Sequence, residues 1–283
     1  MKTAYFPIHT YVSKTPVTIC EKLPAEVFGY PFFNDAIPLV RTENSLKNEL
    51  DLNTENTLKN KQLLQLKGFI FHTSHCGSTL LSNMFKASKK TRVISETEAI
   101  NGLLLSAVFY NLEERSLLKS LKTIMEAYLK PLGEATQVVF KLTSWNIFFI
   151  EIFKKAFPHV PWIFINRKTE EVVASLSKSG RGFVEWFHNP NNLLQNHFLG
   201  DKKQAESVEK YLLAMVEAHK RAAEKCRYGN DLFVEYPSFL NEFKSKILPH
   251  FNLKYSEMEL QATEEIKKYD SKSFQNKAIF AKE

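Results

Sequence analysis

GFIFHTSHCGSTLLSNMF, residues 68–85, reads as a strand, a tight polar loop and a helix in immediate succession, and the rest of the chain is arranged around it. GFIFH is a short apolar run of the kind a buried strand requires. Residues 73–79 are small and polar, and Leu80, Leu81, Met84 and Phe85 then return at helical spacing. Such a turn aims backbone N–H groups at an anion. The first turn of a helix has N–H groups without acceptors and the positive end of the dipole, and Gly77 has no Cβ to obstruct close approach. The ligand expected there is a phosphate or a sulfate.

The alternation continues downstream. Residues 92–95 make a brief second strand, and 96–112 carry Ile100, Leu103, Leu104, Ala107 and Val108 at helical spacing; a further helix over 113–129 stops at Pro131 and Gly133. Residues 137–142 form a strand, 145–157 a helix ended by Pro158, 162–166 a strand and 169–178 a helix. A long helix over 202–227, a last strand at 232–235 and a charged helix with a polar tail over 256–283 complete the pattern. Short apolar strands alternating with helices predict an α/β fold with a central parallel sheet flanked by helices. Ligands of such sheets sit at the carboxyl ends of the strands, where the loops after Phe71, Phe140 and Ile165 converge.

Upstream, residues 1–45 mix Pro7, Pro16, Pro24, Pro31 and Pro38 with Phe28, Tyr30, Phe32 and Phe33, which predicts extended, turn-rich structure. PFFND, residues 31–35, is expected to pack on the core rather than to cap a ligand pocket. Residues 46–66 read as a polar connector with at most one short helix. The expected organisation is an N-terminal arm and connector over 1–66 and an α/β domain over 67–283. Residues 179–201, SGRGFVEWFHNPNNLLQNHFLGD, break the pattern and are expected to form a mobile substrate loop.

A chain of 283 residues with 44% hydrophobic content suffices for one large α/β domain or two small ones. The formal charge of +7 favours a phosphate-rich nucleotide, yet no basic block argues for nucleic acid. Cys20, Cys76 and Cys226 lie far apart and make no CxxC pattern, so neither a disulfide framework nor a metal site is expected, and a reducing cytoplasm is the simplest compartment. Residues 1–23 are interrupted by Pro7, His9, Lys14 and Glu21, unlike a signal peptide. The greasy run 145–153 carries Asn146 and Glu151 and is too short to span a bilayer, so a soluble protein is expected.

Three phosphate-loop chemistries compete for residues 73–79. A nucleotide hydrolase needs G-x-x-x-x-G-K-[ST], but His72 stands where the first glycine belongs and Ser78 where the lysine belongs. A cysteine phosphatase needs an arginine closing the loop, and Ser82 occupies that position; Cys76 is read as a small loop residue rather than a nucleophile. The third fits. The run 75–81, HCGSTLL, resembles the 5′-phosphosulfate loop of sulfotransferases, in which a basic residue, a small residue, glycine and two hydroxyl residues precede a helix. WIFINRKTEEVVAS, residues 162–175, is similar to that family's 3′-phosphate site, a strand ending in arginine with a serine eight residues later. The spacing lets Arg167, a forked cationic donor, and Ser175 face one phosphate.

The resemblance covers roughly residues 68–178. It implies the sulfotransferase variant of the P-loop nucleoside-triphosphate-hydrolase architecture, with 3′-phosphoadenosine 5′-phosphosulfate as donor, an acceptor hydroxyl and no metal. The donor would be held by Ser74, His75, Cys76, Gly77, Ser78, Thr79, Arg167 and Ser175. Lys141 matches the lysine that approaches the transferring group. Thr143 stands where cytosolic members carry a histidine base, and the base is assigned to Glu96, with Glu98 as the alternative; burial is expected to raise its pKa.

His75 departs from the family's Lys or Arg, so its contribution should fade between about pH 6 and 8. The acceptor would be chosen by Phe183, Trp186, Phe187, His188 and the N-terminal aromatics, and Lys277 in the tail is a candidate phosphate contact. A nucleotide-binding protein without turnover and, behind it, a small-molecule kinase are the alternatives.

Overall fold

The structure, a computed structural model, describes residues 2–42, 45–52, 62–189, 193–199, 206–227, 229, 231–269 and 271–272. Strands β1 (Thr3–Tyr11) and β2 (Val17–Pro24) pair antiparallel, and β3 (Lys47–Leu50) adds to the β2 edge. This sheet replaces part of the expected polar connector. Helix α1 (Phe33–Val40) contains Pro38 and buries Phe33, Ala36 and Ile37, where extended, turn-rich structure was expected. Residues 53–61, the turn-prone part of the connector, lie outside the described residues.

The second sheet is parallel and five-stranded. Its strands are β4 (Gln65–His72), β5 (Thr91–Ser95), β6 (Gln137–Lys141), β7 (Trp162–Asn166) and β8 (Asp231–Glu235), in the order β5-β6-β4-β7-β8. The strand that leads into the polar loop is thus central. Both faces are covered, which is why its strands read as near-continuous apolar runs. Along β4 the pleat sends Phe69 and Phe71 to one face and Ile70 to the other.

On the first face lie Phe140, Trp162 and Phe164, helices α3 (Glu98–Tyr110), α4 (Glu114–Tyr128) and α5 (Ile150–Ala156), and Phe6 and Phe33 of the N-terminal segment. The predicted helix over 145–157 begins as a tight helical turn over 144–149 before α5. On the second face, helix α2 (Ser78–Phe85) meets a C-terminal group: α10 (Phe239–Glu242), the wide turn Phe243–Ile247, α11 (Leu248–His250) and α12 (Glu257–Ile266). Phe251 lies against Gly68 so closely that a Cβ there would meet the ring at 2.3 Å, which accounts for a glycine inside β4.

Helix α6 (Thr169–Ser179) and the long α9 (Val208–Lys225) enclose a third apolar cluster with α7 (Phe183–Phe187). The segment expected as a mobile loop therefore contains α7 and α8 (Leu193–Leu199), because Phe183, Val184 and Leu194 find apolar partners. Among the described residues no helix is long and apolar enough to cross a membrane.

Candidate functional site

The site forms where β4, β5, β6 and β7 end. Past His72 the backbone turns left-handed at Ser74 (φ 70°), His75 (φ 46°) and Gly77 (φ 81°) before α2 begins. At Gly77 a Cβ would stand 2.6 Å from the Tyr236 ring, so this position needs glycine for both its backbone and its space. Glu96 is left-handed as well (φ 52°). Among the described non-glycine residues the other left-handed positions are Asn111 and Asn252, a residue type that tolerates this region, whereas Ser74, His75 and Glu96 border one cavity. Each such residue stores about 1–3 kcal/mol, a strain that clusters at binding and catalytic sites.

His72, which no sequence pattern singled out, sets the loop. Its Nδ1 accepts the Ser74 N–H (3.1 Å), which leaves Nε2 as the protonated nitrogen donating to the Leu142 carbonyl (2.9 Å). Burial, assisted by the Lys141 charge, lowers its pKa to about 3, so the ring is neutral.

The two halves of the predicted anion site meet at His75. Its Nδ1 is 2.7 Å from Ser175 Oγ, and its carbonyl accepts Arg167 Nη1 at 3.4 Å. Arg167 Nε also donates to Glu171 (2.7 Å), and its guanidinium lies 5.0 Å above the Tyr236 ring. Burial, then the charges of Lys272 and Arg167, hold His75 below its ordinary pKa. The imidazole is therefore neutral at pH 7 until an anion binds, a more acidic window than its unperturbed pKa suggests.

Lys141 is 1% exposed, which rules out a surface lysine. It donates to Glu96 and to Thr79 Oγ1 (3.1 Å), and its ammonium sits 4.7 Å from the Phe32 ring centroid. Burial pushes the Glu96 carboxyl up, but the Lys141 charge and its hydrogen bond outweigh it and hold the pKa below the ordinary carboxylate value; the neutral His72 ring lies 3.7 Å away. The expected upward shift is thus reversed by the paired charge. Glu98 is elsewhere: it is exposed, faces His9 (3.3 Å) and does not line the cavity. The N-cap of α3 is Thr97, so Glu96 is not held as a helix cap. Thr143 is structural, accepting from Asn101 (2.9 Å) and capping the next turn with Asn146 (3.1 Å).

A cavity of about 400 Å³ brings together Ser74, His75, Cys76, Gly77, Ser78, Thr79, Glu96, Arg167 and Ser175, with Phe32, His72, Tyr236 and Lys272 completing its wall. Lys141 reaches it through Thr79 and Glu96. Cys76 is fully buried, and burial first of all raises its thiol pKa, the opposite of a reactive thiolate. Phe33 is a core residue as expected, but its neighbour Phe32 borders the cavity, so PFFND does both jobs. Lys272 enters from the C-terminal segment, which Asn83 anchors by a hydrogen bond to the Ser271 carbonyl (2.9 Å); Lys277 lies outside the described residues.

A second cavity of about 680 Å³ shares Ser74, His75, Ser144 and Lys272 with the first. Phe183 and Trp186 line it as expected, whereas Phe187 packs on Tyr211. Compared with known proteins, the chain matches no family model and no curated protein.

Proposed function

We propose that the protein is a sulfotransferase of the P-loop type, moving a sulfuryl group from 3′-phosphoadenosine 5′-phosphosulfate to an acceptor hydroxyl. One observation carries the reading: Arg167 and Ser175, which follow His75 by 92 and 100 positions, meet the polar loop at His75 and line one cavity with it. Two short motifs far apart in sequence seldom converge on one anion cradle without a ligand that needs both. The residues fit the donor. Gly77 keeps the entry to α2 open, the first turn of α2 offers N–H groups without helical acceptors, and Ser78 and Thr79 add hydroxyls.

The donor, when bound, supplies an activated sulfonate on a phosphate leaving group. Ser78, Thr79 and the α2 N-terminus hold its 5′ end, while Arg167 and Ser175 take the 3′-phosphate, for which Arg167 exchanges its Glu171 partner. Lys141, already directed at Thr79, stabilises the charge gathering on the departing phosphate oxygen. Glu96, ionised at neutral pH by virtue of Lys141, accepts the acceptor's hydroxyl proton as the new S–O bond forms and the old one breaks.

The test is thermal stabilisation by 3′-phosphoadenosine 5′-phosphate against ATP, followed by transfer of labelled sulfate to a panel of phenols and sugars. The bisphosphate should stabilise the wild type and not Arg167→Ala, and label should appear on a hydroxyl compound. Stabilisation by ATP alone would point to a kinase and overturn the reading. Binding without transfer or hydrolysis would support the non-catalytic alternative, which the closed Lys141–Glu96 pair and the neutral His75 favour.

A further inference from the structure

The second cavity has a chemistry of its own. Trp145, Leu176, Phe183 and Trp186 form its apolar side, Thr143, Ser144 and Ser179 add hydroxyls, and no carboxylate lines it among the described residues. Arg181 lines this cavity and not the first. It stands between Gly180 (φ 64°) and Gly182 (φ 66°), where the chain turns from α6 into α7. Among the described residues no acidic group pairs with its guanidinium, and the carboxylate of α7, Glu185, is turned back to accept the Gly182 N–H at 2.9 Å. An apolar slot of about 680 Å³ with a cation at its edge favours a flat apolar body bearing a negative charge. The wall shared with the first cavity, Ser74, His75, Ser144 and Lys272, puts the other end of such a molecule beside the residues assigned to transfer.

We infer that the acceptor is a hydroxylated aromatic acid, its ring between Trp145, Phe183 and Trp186, its carboxylate on Arg181 and its hydroxyl directed to the shared wall. This rests on the sulfotransferase reading for the fate of the hydroxyl, but not for the binding itself. Neutral phenols of the same shape would enter more weakly, and amines would be repelled by Arg181 and Lys272.

Calorimetric titration of the full chain without donor, using the near-isosteric phenols 4-hydroxyphenylacetate, 4-ethylphenol and tyramine, tests the assignment. At low salt the acid should bind about fivefold or more tighter than 4-ethylphenol, the range of one partly exposed ion pair, and tyramine weakest. Added salt should shrink the difference. Arg181→Gln should abolish the preference while leaving the affinities for 4-ethylphenol and for 3′-phosphoadenosine 5′-phosphate unchanged. The inference is overturned if none of the three binds, if the acid gains nothing over the neutral phenol, or if the preference survives Arg181→Gln. It is equally overturned if that substitution weakens the bisphosphate, which would make the cleft part of the donor site. Intact preference with no sulfate transfer would sink the enzyme reading and leave this one standing.

Discussion

His75 carries two demands that pull in opposite directions. The proposed phosphosulfate loop needs positive charge, yet burial and the nearby Lys272 and Arg167 hold this imidazole neutral. An incoming anion reverses the balance, so binding takes up a proton in the window between the ligand-free and the bound pKa. Affinity for 3′-phosphoadenosine 5′-phosphate should therefore rise as pH falls through the bound pKa and level off below the ligand-free one. His75→Arg should flatten that profile and tighten binding at pH 8, as read by calorimetry; an unchanged profile would remove the imidazole from the donor site. Lys141 and Glu96 pose a different problem, because the buried ammonium and the half-buried carboxylate are each other's counter-charge. Lys141→Met should leave Glu96 half-buried and unpaired, destabilise the fold by about 2 kcal/mol and, under the proposed reading, lower turnover at least a hundredfold. Adding Glu96→Gln should recover most of the stability and none of the turnover. If the double variant is no more stable than Lys141→Met, the pair is not coupled in the way its geometry requires.

At the scale of elements, α3 is the part that ties the N-terminal sheet to the site. Glu96 and Thr97 lead into it, and Gly102 in its second turn lies so close to β1 that a Cβ would meet the Thr10 carbonyl oxygen at 2.1 Å. Thr10 meanwhile donates to the Ala99 carbonyl (2.8 Å). Gly102→Ala gains up to about 1 kcal/mol of helix propensity but clashes with backbone that cannot yield. The melting temperature should fall, and with it sulfate transfer as Glu96 shifts; a rise would mean that the helix-to-strand contact is loose. This contact also marks the limit of what could be read from sequence. The β4-loop-α2 unit and β7 were legible because a local change of period announces them; Glu96, Lys141 and Arg167 could be picked out because each stands at or just beyond the end of a strand, and Ser175 because it follows Arg167 by eight residues on the next helix. The N-terminal sheet was not, since its register depends on partners such as Thr10 and Thr18 that only pairing brings together. Phe239, Phe243, Ile247 and Phe251 recur every fourth residue, yet their purpose appears only against the space that Gly68 leaves. His72 was hidden in an apolar run, and Lys272 in a tail without pattern.

For the molecule as a whole, two buried imidazoles set the acid limit. His72 and His219 are almost fully buried, and desolvation lowers their pKa values to about 3 and about 4. In the unfolded chain both titrate near 6.5, so below that pH the unfolded state binds protons that the folded state refuses. Stability is therefore complete above about pH 6.5 and is lost as pH falls toward 4, at about 1 kcal/mol per pH unit for each histidine. The paired carboxylates Glu21, Glu96 and Glu259, all held below their ordinary pKa values, contribute their own loss only below about pH 4.5, so between about pH 4.5 and 6.5 the histidine loss stands apart from theirs. His219 offers the cleaner test. Its Nδ1 donates to the Met215 carbonyl (2.7 Å), its Nε2 has no hydrogen-bond partner among the described residues, and its ring lies against Phe148 and Phe183. His219→Phe keeps the aromatic packing, removes an unsatisfied buried nitrogen and deletes one titration. Urea unfolding between pH 4.5 and 7 should show a shallower slope of stability on pH in this variant, with little change at pH 7. The net charge of +7 grows as pH falls and adds a general repulsion, which salt screens, so the reduction must persist in high salt to be assigned to the histidine. An unaltered slope would mean that His219 takes up its proton in the folded state, and that the core around α9 admits water.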